Sequence, residues 1–150
     1  MRIAAVLVLS LLTAATAAAE TPTTEELFQQ FGLFGTWASD CKASASFGNP
    51  HVSIFMPSPG LVLEDHSTGA EFVRNRYSVL AAARVSETRL SVDVIFQPGK
   101  PEEERQKLEF EIRDGTRRTM FNQPVGGPAR VKEGIALARG SKTPVLKKCE

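Results

Sequence analysis

The chain has 150 residues, with 18 Lys and Arg against 17 Asp and Glu and a formal net charge of +1. That length fits one domain with one core, and the near-neutral balance excludes the concentrated basic face that nucleic-acid binding requires. The charge is uneven along the chain, −6 over residues 20–104 and +6 over residues 105–150. In a compact sheet protein two such halves interleave as a salt-bridged surface.

The first element is a leader. Residues 3–12 (IAAVLVLSLL) form an apolar run behind Arg2, Ala17–Ala19 supply small residues for a signal peptidase, and Glu20 is the first charge after them. This pattern predicts a signal peptide over 1–19, cleaved near Ala19, and the run is too short for a comfortable membrane span. The mature chain is then expected to be periplasmic or secreted, without a membrane span. Cys41 and Cys149 are the only cysteines, and in an oxidising compartment such a pair is expected to bond. Cys-x-x-Cys spacing is absent, so the expected role is structural.

Residues 20–34 read as a polar arm and a short helix. Thr23 and Glu26 have capping-box spacing, and Leu27, Phe28 and Phe31 follow at helical intervals, which predicts a helix over 24–31 stopped by Gly32. From Gly35 the period changes to two. Leu90, Val92, Val94 and Phe96 share one face, and Leu108, Phe110 and Ile112 alternate with Lys107, Glu109, Glu111 and Arg113, the mark of antiparallel strands with one wet face. Asp114-Gly115 between two such runs is a hairpin signal. Strands are predicted at 35–41, 52–56, 61–66, 71–82, 88–97, 105–113, 116–122 and 131–139. Eight strands in simple succession predict that residues 35–150 form an all-β, up-and-down antiparallel β-barrel preceded by the short helix. Closure removes the exposed edges. In such a barrel the first strand and the tail after the last are neighbours, which suits a Cys41–Cys149 bond.

Gly35-Thr36-Trp37, entered from a short helix, resembles the G-x-W signature of lipocalins and other calycins. The resemblance implies that Trp37 plugs the closed end of the barrel under an arginine from the last strand, matched here to Arg139. GTWASDC at 35–41, Asn49-Pro50, VKEG at 131–134 and GSKTPVLKKC at 140–149 are similar to a group of small exported alphaproteobacterial proteins. These share a G-x-W-A-x-D-C start and a T-P-x-L-x-K-C end, which implies the same cysteine pairing and a Gram-negative periplasm. Bacterial metalloprotease inhibitors of the Inh type are similar in outline, although their disulfide lies within the first half of the chain.

Motifs of hydrolases, zinc peptidases and phosphate-binding loops are absent; Gly126-Gly127 lies between prolines and precedes a strand. No catalytic residue, metal site or cofactor is expected. Glu64 and His66 share a face of their strand while Asp65 points away, and two donors fall short of the four ligands, or three plus water, that zinc takes. Asn75 is expected to face inward with Tyr77 and Val79, and Glu133 and Arg139 to share the inner face of the last strand. Arg74 and Arg76, beside Arg113 or Arg117, are expected on the outer face, where they suit a salt-bridged sheet or an anion. The functional expectation is a binding protein holding a small apolar or amphipathic molecule, with Trp37, Tyr77, Phe96 and Phe110 as lining residues. The alternative is a module that binds an exported protein, such as a protease inhibitor. The sequence leaves the oligomeric state open.

Overall fold

A computed structural model describes residues 21–69 and 75–150. The leader expected over 1–19 and Arg74 lie outside the described residues. Helix α1 (Thr24–Gln30) starts where the capping box places it. The Thr23 amide donates to Glu26 Oε2 at 2.7 Å and the Glu26 amide to Thr23 Oγ1 at 3.2 Å, so two otherwise orphaned N–H groups satisfy each other's residues. Gly32, at φ 63°, turns the chain out of the helix, and the Leu33 amide closes onto Phe28 O at 2.9 Å.

Eight antiparallel strands then close a barrel: β1 (Gly35–Ala38), β2 (His51–Ser58), β3 (Leu61–Ser67), β4 (Asn75–Ser86), β5 (Arg89–Phe96), β6 (Glu104–Arg113), β7 (Thr116–Pro124) and β11 (Val145–Lys148). Each of the first seven pairs with its successor, and β11 fits between β7 and β1. Asp114 and Gly115, at φ 51° and 70°, form the two-residue turn between β6 and β7; both positive values match a turn whose twist suits a hairpin.

The last barrel strand is not the one the sequence predicts. Glu133 and Gly134, at φ 51° and 71°, break residues 131–139 into a tight turn. What forms is an excursion of three two-residue strands: β8 (Val131–Lys132), β9 (Ile135–Ala136) and β10 (Ser141–Lys142), hung from β7 by the Asn122–Val131 pair. Glu133 and Arg139 therefore share no inner strand face. The closing strand is the segment after Pro144, which reads as a tail because it is short and ends in two lysines.

The ends of the barrel differ. At one end α1 lays Leu27 and Phe28 over a core that includes Leu33, Trp37, Val62, Leu90 and Phe110. Burying each of the two helix side chains contributes about 1.5–3 kcal/mol. Arg84 on β4 clasps the helix, its guanidinium 4.5 Å from the Phe31 ring centroid and 2.7 Å from Gln30 Oε1. The opposite end carries the β1–β2 and β5–β6 loops and the β7–β11 excursion.

The Cys41–Cys149 bond joins the seam between the first and last barrel strands, with the Cα atoms 5.5 Å apart and 108 residues between them in sequence. Cross-linking a loop of that length removes denatured-state entropy worth about 4–5 kcal/mol in the chain-entropy model. No helix among the described residues is long and apolar enough to cross a membrane. The bonded cysteines fit an oxidising, non-cytoplasmic setting.

Candidate functional site

Polar groups converge inside the barrel toward its open end. Glu64 on β3 is 5 % exposed, and Arg117 faces it across the lumen from β7 at 3 % exposed. Arg117 Nη2 donates to both Glu64 oxygens, at 2.7 and 2.8 Å, and the guanidinium carbon lies 3.9 Å from the Phe110 ring centroid. His66, two residues along β3 and on the same face, puts Nε2 2.6 Å from Glu64 Oε1. The imidazole packs on Tyr77 with ring centroids 5.0 Å apart, and Tyr77 on Phe96 at 5.1 Å.

Burial alone pushes the Glu64 carboxyl up, but the Arg117 and His66 interactions outweigh it and hold the group down at about 2. Burial, with Glu64 close by, pushes the Tyr77 phenol up to about 12. A second network lies at the mouth. Arg130 makes a two-pronged bridge to Glu104 at 2.8 and 2.9 Å, Gln106 donates to Glu104 at 2.7 Å, and Asn122 donates to Gln106 at 2.9 Å. Asn75 has its partner in Gln97, whose amide donates at 3.3 Å.

The expected lining residues are divided among three places. Trp37 sits in the closed-end plug, 1 % exposed, with its indole N–H donated to Leu33 O at 2.8 Å. Phe110 lies under Arg117, while Tyr77 and Phe96 stand at the mouth. The void bounded by Glu64, Tyr77, Val79, Val92, Val94, Leu108 and Phe110 is about 10 Å³, the scale of a single water. Around it these side chains serve as packed interior.

Arg139 does not cover Trp37. It belongs to the turn after β9 and lies 5.8 Å from the Phe47 ring centroid. The cation over Trp37 is Lys148, Nζ 5.8 Å from the ring centroid and donating to Gly32 O at 2.8 Å. The basic residue does come from the last barrel strand, but that strand is β11. Gly35 makes room for it: at φ 116°, a Cβ there stands 3.3 Å from Lys148 Cε.

Arg76 lies on the outer face as expected and is held by Asp65, through Nε at 2.7 Å and Nη2 at 2.8 Å. Arg117 does not join it, because β7 turns that side chain inward. The hairpin register carries the signal for this: Arg117 lies opposite Ile112, and directly paired residues share a face, so an inward Ile112 brings Arg117 in with it.

Two hollows flank Pro144 at the open end. One, about 80 Å³, is lined by Pro50, Val52, His66, Arg117, Thr119, Pro144 and Leu146. The other, about 590 Å³, is a groove along the excursion, walled by Val131, Ala136, Leu137 and Pro144 and edged by Arg139 and Lys142. Compared with protein-family models, with curated proteins and with solved structures, the chain matches none.

Proposed function

We propose that this chain is an exported, non-enzymatic binding protein that takes a small amphipathic molecule at the open end of its barrel. The observation that carries the reading is the groove of about 590 Å³ along the excursion. A groove of that volume falls in the range of small-molecule sites, which are mostly apolar with a few polar groups fixing orientation. The body of the ligand lies against Val131, Ala136 and Leu137, outside the packed interior. Export rests on the leader and the disulfide, and a Gram-negative periplasm is the compartment both would suit.

Binding without turnover fits the chemistry of the cluster. A carboxylate held at about 2 is a poor general base near neutrality, and a phenol at about 12 a poor acid. A second reading, a module that grips an exported protein such as a protease, is favoured by the apolar side chains on the open-end loops: Phe47 is 64 % exposed, Val125 74 % and Leu137 51 %. Native mass spectrometry of protein purified from its own compartment tests both. A co-purifying small molecule supports the first reading and a stoichiometric protein partner the second. Bare protein that also fails to take up a panel of amphipathic compounds overturns the first.

A further inference from the structure

We propose that the groove along the β8–β10 excursion selects a single-chain anionic amphiphile, in the simplest case a long-chain carboxylate, through the cations on its walls. The inference rests on the binding reading and adds to it the charge of the ligand. Its starting point is an imbalance: residues 129–144 carry Arg130, Lys132, Arg139 and Lys142 against Glu133 alone. Arg130, Arg139 and Lys142 line the groove, and among the described residues no carboxylate does.

The three cations are not equivalent. Arg130 is committed to Glu104 through its two-pronged bridge. Arg139 and Lys142 are exposed and form no ion pair among the described residues, whereas Arg76, Arg89 and Arg117 on the barrel strands each meet a carboxylate. Charges of one sign beside a low-dielectric wall focus the field along a cleft and draw in the opposite sign. The walls supply the apolar half through Val131, Ala136, Leu137 and Pro144. The groove's threonine is already engaged, since Thr143 Oγ1 donates to Thr119 O at 2.7 Å and accepts from Arg118 Nε at 3.1 Å. A neutral head group is left with the Ser141 hydroxyl, while an anionic one meets two cations.

The groove is held in shape without a ligand. Leu137 N donates to Arg130 O at 2.9 Å and Thr143 N to Gly134 O at 2.8 Å, and Arg118 Nη2 donates to the same Gly134 carbonyl at 2.6 Å. Barrel closure requires none of this. β7 and β11 are antiparallel neighbours that a hairpin turn could join, yet residues 125–144 are inserted between them. Connections of that length are uncommon in compact domains and tend to carry function. A braced surface also loses little freedom when it binds.

Calorimetric titration of the mature protein with decanoate, 1-decanol and decyltrimethylammonium reads the selectivity, because the three share a chain and differ in head-group charge. An exposed ion pair changes affinity by up to about fivefold, so at low salt and pH 8 decanoate is expected to bind at least about fivefold more tightly than decanol. The ammonium compound should bind more weakly than either. Raising the salt from about 10 mM to about 0.5 M should close most of the gap by screening. Arg139→Gln/Lys142→Gln removes two side chains that make no hydrogen bond among the described residues. It should bring decanoate to within about twofold of decanol and leave decanol binding unchanged. Leu137→Asp, on the wall, should weaken both compounds; undiminished binding there places the site elsewhere and overturns the proposal. Decanol bound as tightly as decanoate, or a full preference retained in the double variant, refutes the charge selectivity and keeps the groove as a neutral site. If none of the three compounds binds, the groove reading falls as well. Sedimentation with phosphatidylglycerol vesicles in the absence of decanoate binding assigns the cations to a bilayer and also overturns the proposal.

Discussion

Replacing Glu64 by Gln removes one charge from the buried pair and keeps the shape of the side chain. The carboxyl is held at about 2 in the fold against an ordinary 4.5, and each unit of such a difference is worth about 1.4 kcal/mol, so the native environment favours the carboxylate by about 3 kcal/mol. That agrees with the roughly 3–5 kcal/mol lost when one member of a buried ion pair is removed. Because the folded value is depressed, the stabilisation is complete above the unfolded value and drains away as pH falls from about 4.5 to about 2. Urea unfolding of the wild type and Glu64→Gln at a series of pH values isolates the effect, since the other carboxylates contribute to both proteins. The expected gap is about 3 kcal/mol at neutral pH, shrinking toward zero at the acid end, where the wild-type side chain is itself neutral. A gap that stays constant across that window would refute the argument, because it would trace the cost to packing and not to charge.

Removing the Cys41–Cys149 bond with a Cys41→Ser/Cys149→Ser pair should lower stability by about 4 kcal/mol, measured by the same denaturant titration, and a loss below ~1 kcal/mol would show that the reduced chain already holds its ends together. Gly35→Ala places a Cβ at φ 116° and 3.3 Å from Lys148 Cε; a cost of about 1–3 kcal/mol is expected, together with a shift in the emission of Trp37, the single tryptophan. Gly134→Ala brings a Cβ to 2.6 Å from Arg118 Nη2, a group that donates to Gly134 O and, through Nε, to Thr143. Hydrogen exchange should then rise in β8–β10 and not in the barrel, and faster exchange throughout would mean that the excursion supports the whole fold.

Much of this architecture can be read from residue order. The inner faces of β5 and β6 follow from strict alternation, and Thr23 with Glu26 marks the start of α1 in advance. Asp114-Gly115 goes further than a turn signal, since with Ile112 facing inward the two-residue loop obliges Arg117 to do the same. The alternation along β7 hides this, because Met120 is an unpaired extra residue between Thr119 and Phe121, and a bulge shifts the period for everything beyond it. The last strand is obscured for a different reason. Val131, Ile135 and Leu137 keep a two-residue period across Glu133-Gly134, whereas Val145–Lys148 buries only Leu146 and carries little periodic signal of its own. The match of Arg139 to the basic residue over Trp37 fails with that strand, and Lys148 takes its place. Partnerships across the lumen, such as Glu64 with Arg117, depend on barrel closure and have no local trace.

The strand that completes the barrel follows the other seven in chain order, and closure therefore waits on it. Until residues 145–148 are in place, β1 and β7 each present an open edge to solvent, and their meeting requires a contact spanning most of the chain. Such non-local pairings are slow to form, and open edges recruit other chains while they wait. A chain without residues 145–148 carries nearly the whole core and still has no closed barrel. The covalent bond between Cys41 and Cys149 ties the ends of β1 and β11 together once closure has occurred. A chain kept reduced is expected to aggregate through the β1 and β7 edges before it loses its helix-capped end.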